Sequence, residues 1–270
     1  MTMIPDGVAR NADVKVVTLP AFQDNYIWLL RFKDQAIVVD PGDARPVIEY
    51  LSRRKLNLHT ILITHHHGDH VGGVSYLVDV FPDVQVVASH RSAVKHVTKH
   101  VQHGEQFVLP EFGALTLNIL EIPGHTLDHI AFYDAKNQRL FCGDTLFGAG
   151  CGRVFEGSYE QMFDSLNCLM ALPDNTQVYP AHEYTLSNLR FANAVEVNNP
   201  AITERVAREQ EKISLGHPTL PTSLQLEKST NPFLRCTAPE VMAMASDYIG
   251  EALTTPLAVF SALRECKNIF

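Results

Sequence analysis

No apolar run in the 270 residues is long enough to span a bilayer. The opening residues Met1 to Asp6 have neither the basic region nor the apolar core of a secretory signal. These two absences predict a soluble, cytoplasmic protein. Cysteine is scarce: Cys142, Cys151, Cys168, Cys236 and Cys266 form no Cys-x-x-Cys pair, and an odd number argues against a full disulfide framework, so reduced thiols are expected. Net positive charge is lacking as well. A formal charge of -8 argues against a general nucleic-acid binder, because neutralising phosphate needs a basic face. Internal repeats are absent. What remains is a chain with 46% hydrophobic residues, long enough for one large domain and a small one.

Within that ordinary composition stands one unusual segment, Thr64-His65-His66-His67-Gly68-Asp69-His70, directly after the apolar run Thr60-Ile61-Leu62-Ile63. Histidine tags and low-complexity tracts sit at termini or in polar surroundings, whereas this cluster is internal and follows a strand-like run. Imidazole nitrogen with carboxylate oxygen suits zinc, iron or manganese, and a short turn lets His65 and His67 face one way and Asp69 and His70 another, which implies two metals. His125 after Pro123-Gly124, Asp144 after Arg139 to Gly143, and His182 after Gln177 to Ala181 each stand just past a further probable strand. Ligands carried on loops at strand ends are how a rigid sheet positions a reactive site. A second grouping, His96, His100 and His103, shares one face of the helix-like stretch Ser92 to His103. Lys95 and Lys99 would oppose a cation there, so that face reads as solvated.

Up to about Ala181, β-rich runs (Val14–Leu19, Tyr26–Arg31, Ala36–Asp40, Thr60–Thr64, Val84–Ala88, Leu115–Leu120, Ile130–Tyr133) alternate with helical patterns such as Pro46–Arg54 and Val74–Phe81. That is an α/β domain. From Ser187 the strands vanish, and helix-compatible segments (Ser187–Val197, Ile202–Leu215, Pro239–Gly250, Leu257–Arg264) are separated by Pro- and Gly-bearing turns. Two prolines make Gly216 to Thr222 a loop between helices.

The order His-x-His-x-Asp-His, then His, Asp and His, resembles the metallo-β-lactamase superfamily. The resemblance implies an αββα sandwich with two metals at one edge of facing sheets. Matched residue by residue, His65, His67 and His125 would hold the first metal, Asp69, His70 and His182 the second, and Asp144 would bridge both. His66 falls at the variable position, and His129 would make an outer hydrogen bond. Two divalent cations about 3.5–4 Å apart share a water and make it a hydroxide nucleophile near neutral pH. Hydrolysis is therefore expected, but such a core attacks amides, phosphodiesters or thioesters alike.

Four further segments narrow the choice: Phe22 to Trp28, Gly150 to Gly157, Ala181 to Asn188 and Asn231 to Arg235. Nearly end to end, the chain resembles the glyoxalase II (hydroxyacylglutathione hydrolase) family. That resemblance implies a metallo-β-lactamase-like catalytic domain over residues 1–183 and a smaller all-helical, glutathione-binding domain over 184–270. It implies hydrolysis of S-D-lactoylglutathione to glutathione and D-lactate, the second step of methylglyoxal detoxification, on two divalent ions, zinc first with iron or manganese acceptable. Asp144 and Asp69 would serve with the metal-held hydroxide. Arg153, Phe155, Tyr184, Arg264 and Lys267 would hold the glutathione. An i, i+3 spacing puts Arg264 and Lys267 on one helical face if the tail is helical. A monomer acting on a small molecule, with neither nucleic acid nor membrane as partner, is expected. Another superfamily hydrolase, a β-lactamase or an RNA-processing nuclease, would keep the same ligands with a different specificity region.

Overall fold

The computed structural model describes residues 14–270; the Met1–Asp6 segment lies outside the described residues. The first sheet runs in the order β1 (Lys15–Ala21), β2 (Asn25–Phe32), β3 (Gln35–Val39), β4 (Asn57–Leu62), β5 (Gln85–Ser89) and β6 (Lys99–Val101). Its hairpins β1–β2 and β2–β3 are antiparallel, and β3 to β6 pair in parallel. The second sheet contains β7 (Gln106–Leu109), β8 (Leu115–Glu121), β9 (Ile130–Asp134) and β10 (Arg139–Gly143). After a small hairpin, β11 (Leu146–Phe147) and β12 (Gly150–Cys151), the strand β13 (Gln177–Pro180) joins β10 in parallel.

The side-chain period of two explains the layering. Along β2, Trp28, Leu30 and Phe32 point into the space between the sheets, where they meet Leu117, Ile119, Phe132, Phe141 and Tyr179. Ile27 and Leu29 point the other way, against Val47 and Leu51 of α1 (Ala44–Arg54) and Leu77 of α3 (Val74–Val80), beyond the short α2 (Gly68–Val71). The outer face of the second sheet, with Ala131, Leu140 and Val178, packs on Met162, Leu166 and Leu169 of α4 (Tyr159–Met170). Ser158 and Gln161 close a capping box at the start of α4. The result is an αββα sandwich with two apolar interfaces and a third between the sheets.

The C-terminal region carries α5 (Thr185–Val195), α6 (Pro200–Ser214), α7 (Leu224–Thr230), α8 (Pro239–Ile249) and α9 (Pro256–Ile269). Phe191, Val241, Val259, Phe260 and Leu263 continue the apolar cluster of the second sheet and α4, so helices and sandwich share one core. Among the described residues no helix is long and apolar enough to cross a membrane.

Two local expectations fail. Ser92–His103 is not helical; it is a run of turns ending in β6, because its spacing of four and three imitates a helical face while Val97 and Val101 belong to other apolar clusters. His96, His100 and His103 lie exposed, and His100 and His103 are used up on the Ser89 carbonyl and the Glu121 N–H. Strands also do not vanish after Ser187: β14 (Thr222–Ser223), at the end of the proline loop, pairs antiparallel with β13. The sequence pattern does not predict helix α7, which directly follows it.

Candidate metal centre

The residues proposed as ligands lie at or beyond the ends of strands, with Asp69 and His70 in the short α2 that follows β4. β3 runs out at Val39 and delivers Asp40; β4 delivers Thr64 to His70; β8 and β9 flank His125; β10 delivers Asp144; β13 delivers His182. All emerge at one edge of the two sheets. His65, His67 and His125 offer nitrogens within 4.8 Å of one another, as do the ligand atoms of Asp69, His70 and His182, and Asp144 groups with His65 and His70. His125 Nε2 is 3.0 Å from His67 Nδ1. Asp144 turns Oδ2 to His125 Nε2 at 3.5 Å and Oδ1 to His70 Nε2 and His182 Nε2 at 3.5 and 3.4 Å. One carboxylate thus faces both sets, each oxygen to its own.

The outer nitrogens are held by the surrounding shell. His65 Nδ1 is 3.1 Å from Thr64 Oγ1, whose hydroxyl donates to Asp40 Oδ2. His70 Nδ1 lies 3.1 Å from that same oxygen, His125 Nδ1 2.7 Å from the Arg153 carbonyl, and His182 Nδ1 2.9 Å from Asp24 Oδ1. Partners on Nδ1 fix ring orientation and leave Nε2 pointing inward, the usual outer arrangement of metal-ligating histidine. Asn25 donates to Asp69 Oδ2 at 3.0 Å. No sequence pattern marks Asp40 beyond a polar residue just past an apolar strand, in Val39-Asp40-Pro41, whereas Asp24 and Asn25 fall inside the family-like segment Phe22 to Trp28 without a ligand signature of their own. His129 Nε2 accepts from the Asp144 N–H at 3.1 Å and its ring stacks on His65.

The electrostatics suit cations. Burial pulls His65 well below its ordinary pKa, helped by the His70 and His129 rings. At His182 burial acts downward but is outweighed by the Asp144, Asp69 and Asp24 carboxylates, which push it up to about 10. Burial would raise Asp144, yet His70 and His182 hold it well below the carboxylate range, and hydrogen bonds from His182 and His70 do the same for Asp69. Inside the site, His65 Nε2, both nitrogens of His70 and Asp144 Oδ1 are buried without a well-directed hydrogen bond, although His70 Nδ1 lies 3.1 Å from Asp40 Oδ2. Such orphaned polar atoms are costly unless something binds them. Tetrahedral ligands at zinc distances stand about 3.3–3.5 Å apart; Asp69 and Asp144 keep 3.3–3.5 Å from the His70, His125 and His182 nitrogens, and His67 and His125 stand somewhat closer at 3.0 Å, so the residues fit divalent metal.

Aromatic and basic groups frame the mouth. Phe155, 61% exposed, sets its ring 5.3 Å from His125 and 5.8 Å from His67, and Arg153 lies 5.7 Å over it. Tyr184 stacks on His182 with centroids 4.8 Å apart. Helix α9 carries both Arg264 and Lys267, with differing fates. Arg264 is buried, donating from Nη1 to the Cys151 carbonyl at 2.9 Å and covering Phe233. Lys267 sits 5.3 Å from the Phe191 and Phe270 rings, its pKa lowered by burial and then by Arg264 and Arg190. The tail is tied down, with Phe270 edge-on to Phe191. Arg235 forks onto Glu196 and touches no part of the site.

A sandwich with such a His/Asp set at its strand ends defines a member of the metallo-β-lactamase superfamily, whose family model matches residues 22–182. The model of the hydroxyacylglutathione hydrolase C-terminus matches residues 183–270. The chain belongs to the hydroxyacylglutathione hydrolase family: it is 49% identical over 257 residues to the protein of that name from Nitrosomonas europaea, covering 95% of this chain and 97% of that one. The Vibrio parahaemolyticus protein of the same name is 48% identical over 258 residues, covering 95% and 100%. Among solved structures, ETHE1 from Myxococcus xanthus superposes with a TM-score of 0.63 at 25% identity, covering 94% of this chain and 99% of that one.

Proposed function

We propose that the chain hydrolyses the thioester of S-D-lactoylglutathione and related S-2-hydroxyacylglutathiones, releasing glutathione and the 2-hydroxy acid. The observation that carries this reading is the pairing, at one mouth, of the two-sided Asp144 site with a rim made of Arg153 and Phe155 from the sandwich and Tyr184 from the helical region. His65, His67 and His125 would hold one cation, Asp69, His70 and His182 the other, and Asp144 both. Two bound divalent cations supply an activated water at neutral pH and polarise the carbonyl under attack. Zinc is the proposed cation; the same nitrogen and oxygen donors accept iron or manganese.

The protein's own part is orientation. Arg153 and Lys267 meet the two carboxylates of glutathione, Arg153 with the planar fork suited to such groups. Arg264, committed to the Cys151 carbonyl, secures the loop that carries Arg153. Tyr184 is pushed up to about 12 by burial and by the Asp24, Asp144 and Asp69 carboxylates, so its hydroxyl keeps its proton and donates a hydrogen bond. Phe155 offers a ring and a backbone contact. Holding the acyl carbonyl over the metals in this way is positional catalysis. The leaving thiolate, with a pKa of about 8.5 for an ordinary thiol, departs without a proton donor, so no side-chain acid is required.

Residues 1–183 are the proposed catalytic domain and 184–270 the substrate-binding one. A cytoplasmic monomer acting on a small molecule, and on neither nucleic acid nor membrane, completes the proposal, the charge of -8 supporting its indifference to nucleic acid. The test compares kcat/KM for S-D-lactoylglutathione with that for the same acyl group on a thiol lacking the glutamyl and glycyl arms. A large preference for the glutathione thioester supports the assignment. Equal or absent activity on both returns the substrate to the wider superfamily.

A further inference from the structure

Between His182 and Tyr184 stands Glu183, which belongs neither to the metal sets nor to the rim. Its half-buried carboxylate gathers three donors. Oε2 accepts the Tyr26 hydroxyl at 2.9 Å and the Thr219 N–H at 2.8 Å, and Oε1 accepts the Thr219 hydroxyl. Thr219 and Thr185 are both buried, with their hydroxyl oxygens 2.6 Å apart. The single Thr219 hydroxyl proton goes to Glu183, so Thr185 donates to Thr219. One carboxylate thus joins β2, the proline loop before β14 and the start of α5.

Backbone bonds form a clasp around the same point. The Tyr26 N–H donates to the Ala181 carbonyl at 2.7 Å and the Glu183 N–H to the Asp24 carbonyl at 2.8 Å, so Asn25 and His182 face each other as a single bridged pair. The Trp28 indole N–H adds a bond to the Pro180 carbonyl at 2.9 Å. What the clasp presents is outer support for one metal set only. Asp24 Oδ1 stands 2.9 Å from His182 Nδ1, and Asn25 donates to Asp69 Oδ2 at 3.0 Å. The other set takes its outer partners elsewhere, from Thr64 at His65 and from the Arg153 carbonyl at His125.

We propose that Glu183 is a positioning residue for the set of Asp69, His70 and His182, a role that rests on the dinuclear reading of the centre. By fixing Tyr26 and Thr219 it holds Asp24 against His182 and Asn25 against Asp69. Hydrogen bonds to a carboxylate are the stronger kind, and here three of them converge one residue from a ligand. Glutamine can take over this task. Its amide oxygen at the Oε2 place keeps the Tyr26 hydroxyl and the Thr219 N–H, and its NH₂ group at the Oε1 place meets the Thr219 hydroxyl, which turns to accept it and donates to Thr185. Alanine removes all three bonds.

Competition of the zinc-loaded full chain with a chelator, beside amide exchange at Tyr26 and Glu183, tests this. The wild type is expected to hold two tight equivalents. Glu183→Ala is expected to weaken one of them by about 10–100-fold, as loss of outer partners does at metal sites, and to leave the other unchanged. Exchange of the two clasp amides should quicken in the same variant, a readout independent of metal. Glu183→Gln is expected to restore both measurements. Tyr26→Phe, which removes one donor and keeps the ring, should shift the same equivalent by less and serves if the alanine variant does not fold. Two equivalents weakened together in step with thermal stability, neither weakened, clasp amides that exchange as in the wild type, or glutamine as damaging as alanine each overturn the proposal. Fewer than two tight equivalents in the wild type overturns the dinuclear reading itself, a result seen before any Glu183 variant is made.

Discussion

Asp40 is the residue whose replacement tests the outer shell most sharply. It is buried just past β3 with φ of 52°, and its carboxylate accepts the Thr64 N–H at 2.8 Å on Oδ1 and the Thr64 hydroxyl at 2.7 Å on Oδ2, with His70 Nδ1 3.1 Å from Oδ2. Asp40→Asn keeps the shape and exchanges one oxygen for an NH₂ group. If the amide oxygen stays at Oδ1, the NH₂ faces His70 Nδ1; if it turns to Oδ2, the NH₂ faces the Thr64 N–H. In either orientation one buried donor meets another, at a cost of about 1–3 kcal/mol. The effect on metal is separable. Without a carboxylate behind Nδ1, His70 loses its fixed orientation, and outer partners of this kind are worth about 10–100-fold in metal affinity. Competition with a chromophoric chelator should show one of the two tight equivalents weakened by that factor, the other retained. Two unchanged equivalents, in a variant with unchanged thermal stability, would refute the claim that the outer shell sets the inner ligands.

Other consequences can be checked independently. Because the carboxylates hold metal-free His182 up to about 10, loading metal at pH 7 must displace a proton, so affinity rises with pH from 6 to 8; calorimetry in buffers of different ionisation heat reads the release, and a pH-independent affinity contradicts it. Lys267→Ala should mainly raise KM for the glutathione thioester, whereas a loss in kcat with unchanged KM would contradict a ground-state binding role. A methyl at Gly152 would overlap the Asp144 carbonyl oxygen, so Gly152→Ala is expected to lose metal and activity together, and full metal content would count against so tight a fit. Glu227→Ala strands Arg205, with which it forms a buried pair at 2.6 Å, and should destabilise the chain by about 3–5 kcal/mol in a denaturant titration.

The proposed inner ligands stand out in the sequence because several histidines and an aspartate within six residues, after an apolar strand, are chemically improbable by chance. Nothing comparable marks their supports. Asp24 and Asp40 are single carboxylates beside turns, and that is the commonest setting for aspartate in any fold. Their role depends on which imidazole lies opposite, and only tertiary structure brings it there. Spacing misled at His96, His100 and His103, where a helical period coincided with a surface turn and an edge strand. At Arg264 the residue type suits a carboxylate contact, and what the sequence does not foretell is the burial that sets its Nη1 on the Cys151 carbonyl. Short paired elements such as β7 and β14 carry too few residues for alternation to register.

Arg264 also shows how the two parts of the chain are linked. The inner ligands all come from the sandwich, between His65 and His182, while the helical region supplies Lys267 and the clamp on β12. Glu227 of α7 accepts the Ala149 N–H at 2.8 Å, and Asn231 donates to the Gly150 carbonyl at 2.9 Å. With Arg264 on Cys151, three buried side chains from the helical region grip three consecutive residues of the segment running from Asp144 to Arg153. That segment begins at the carboxylate facing both metal sets and ends at a proposed substrate cation. Helical packing therefore sets the distance between the chemistry and the recognition. Changes in the helices far from any metal should alter KM and kcat together through this grip, whereas changes at the half-buried Lys267 should alter KM alone.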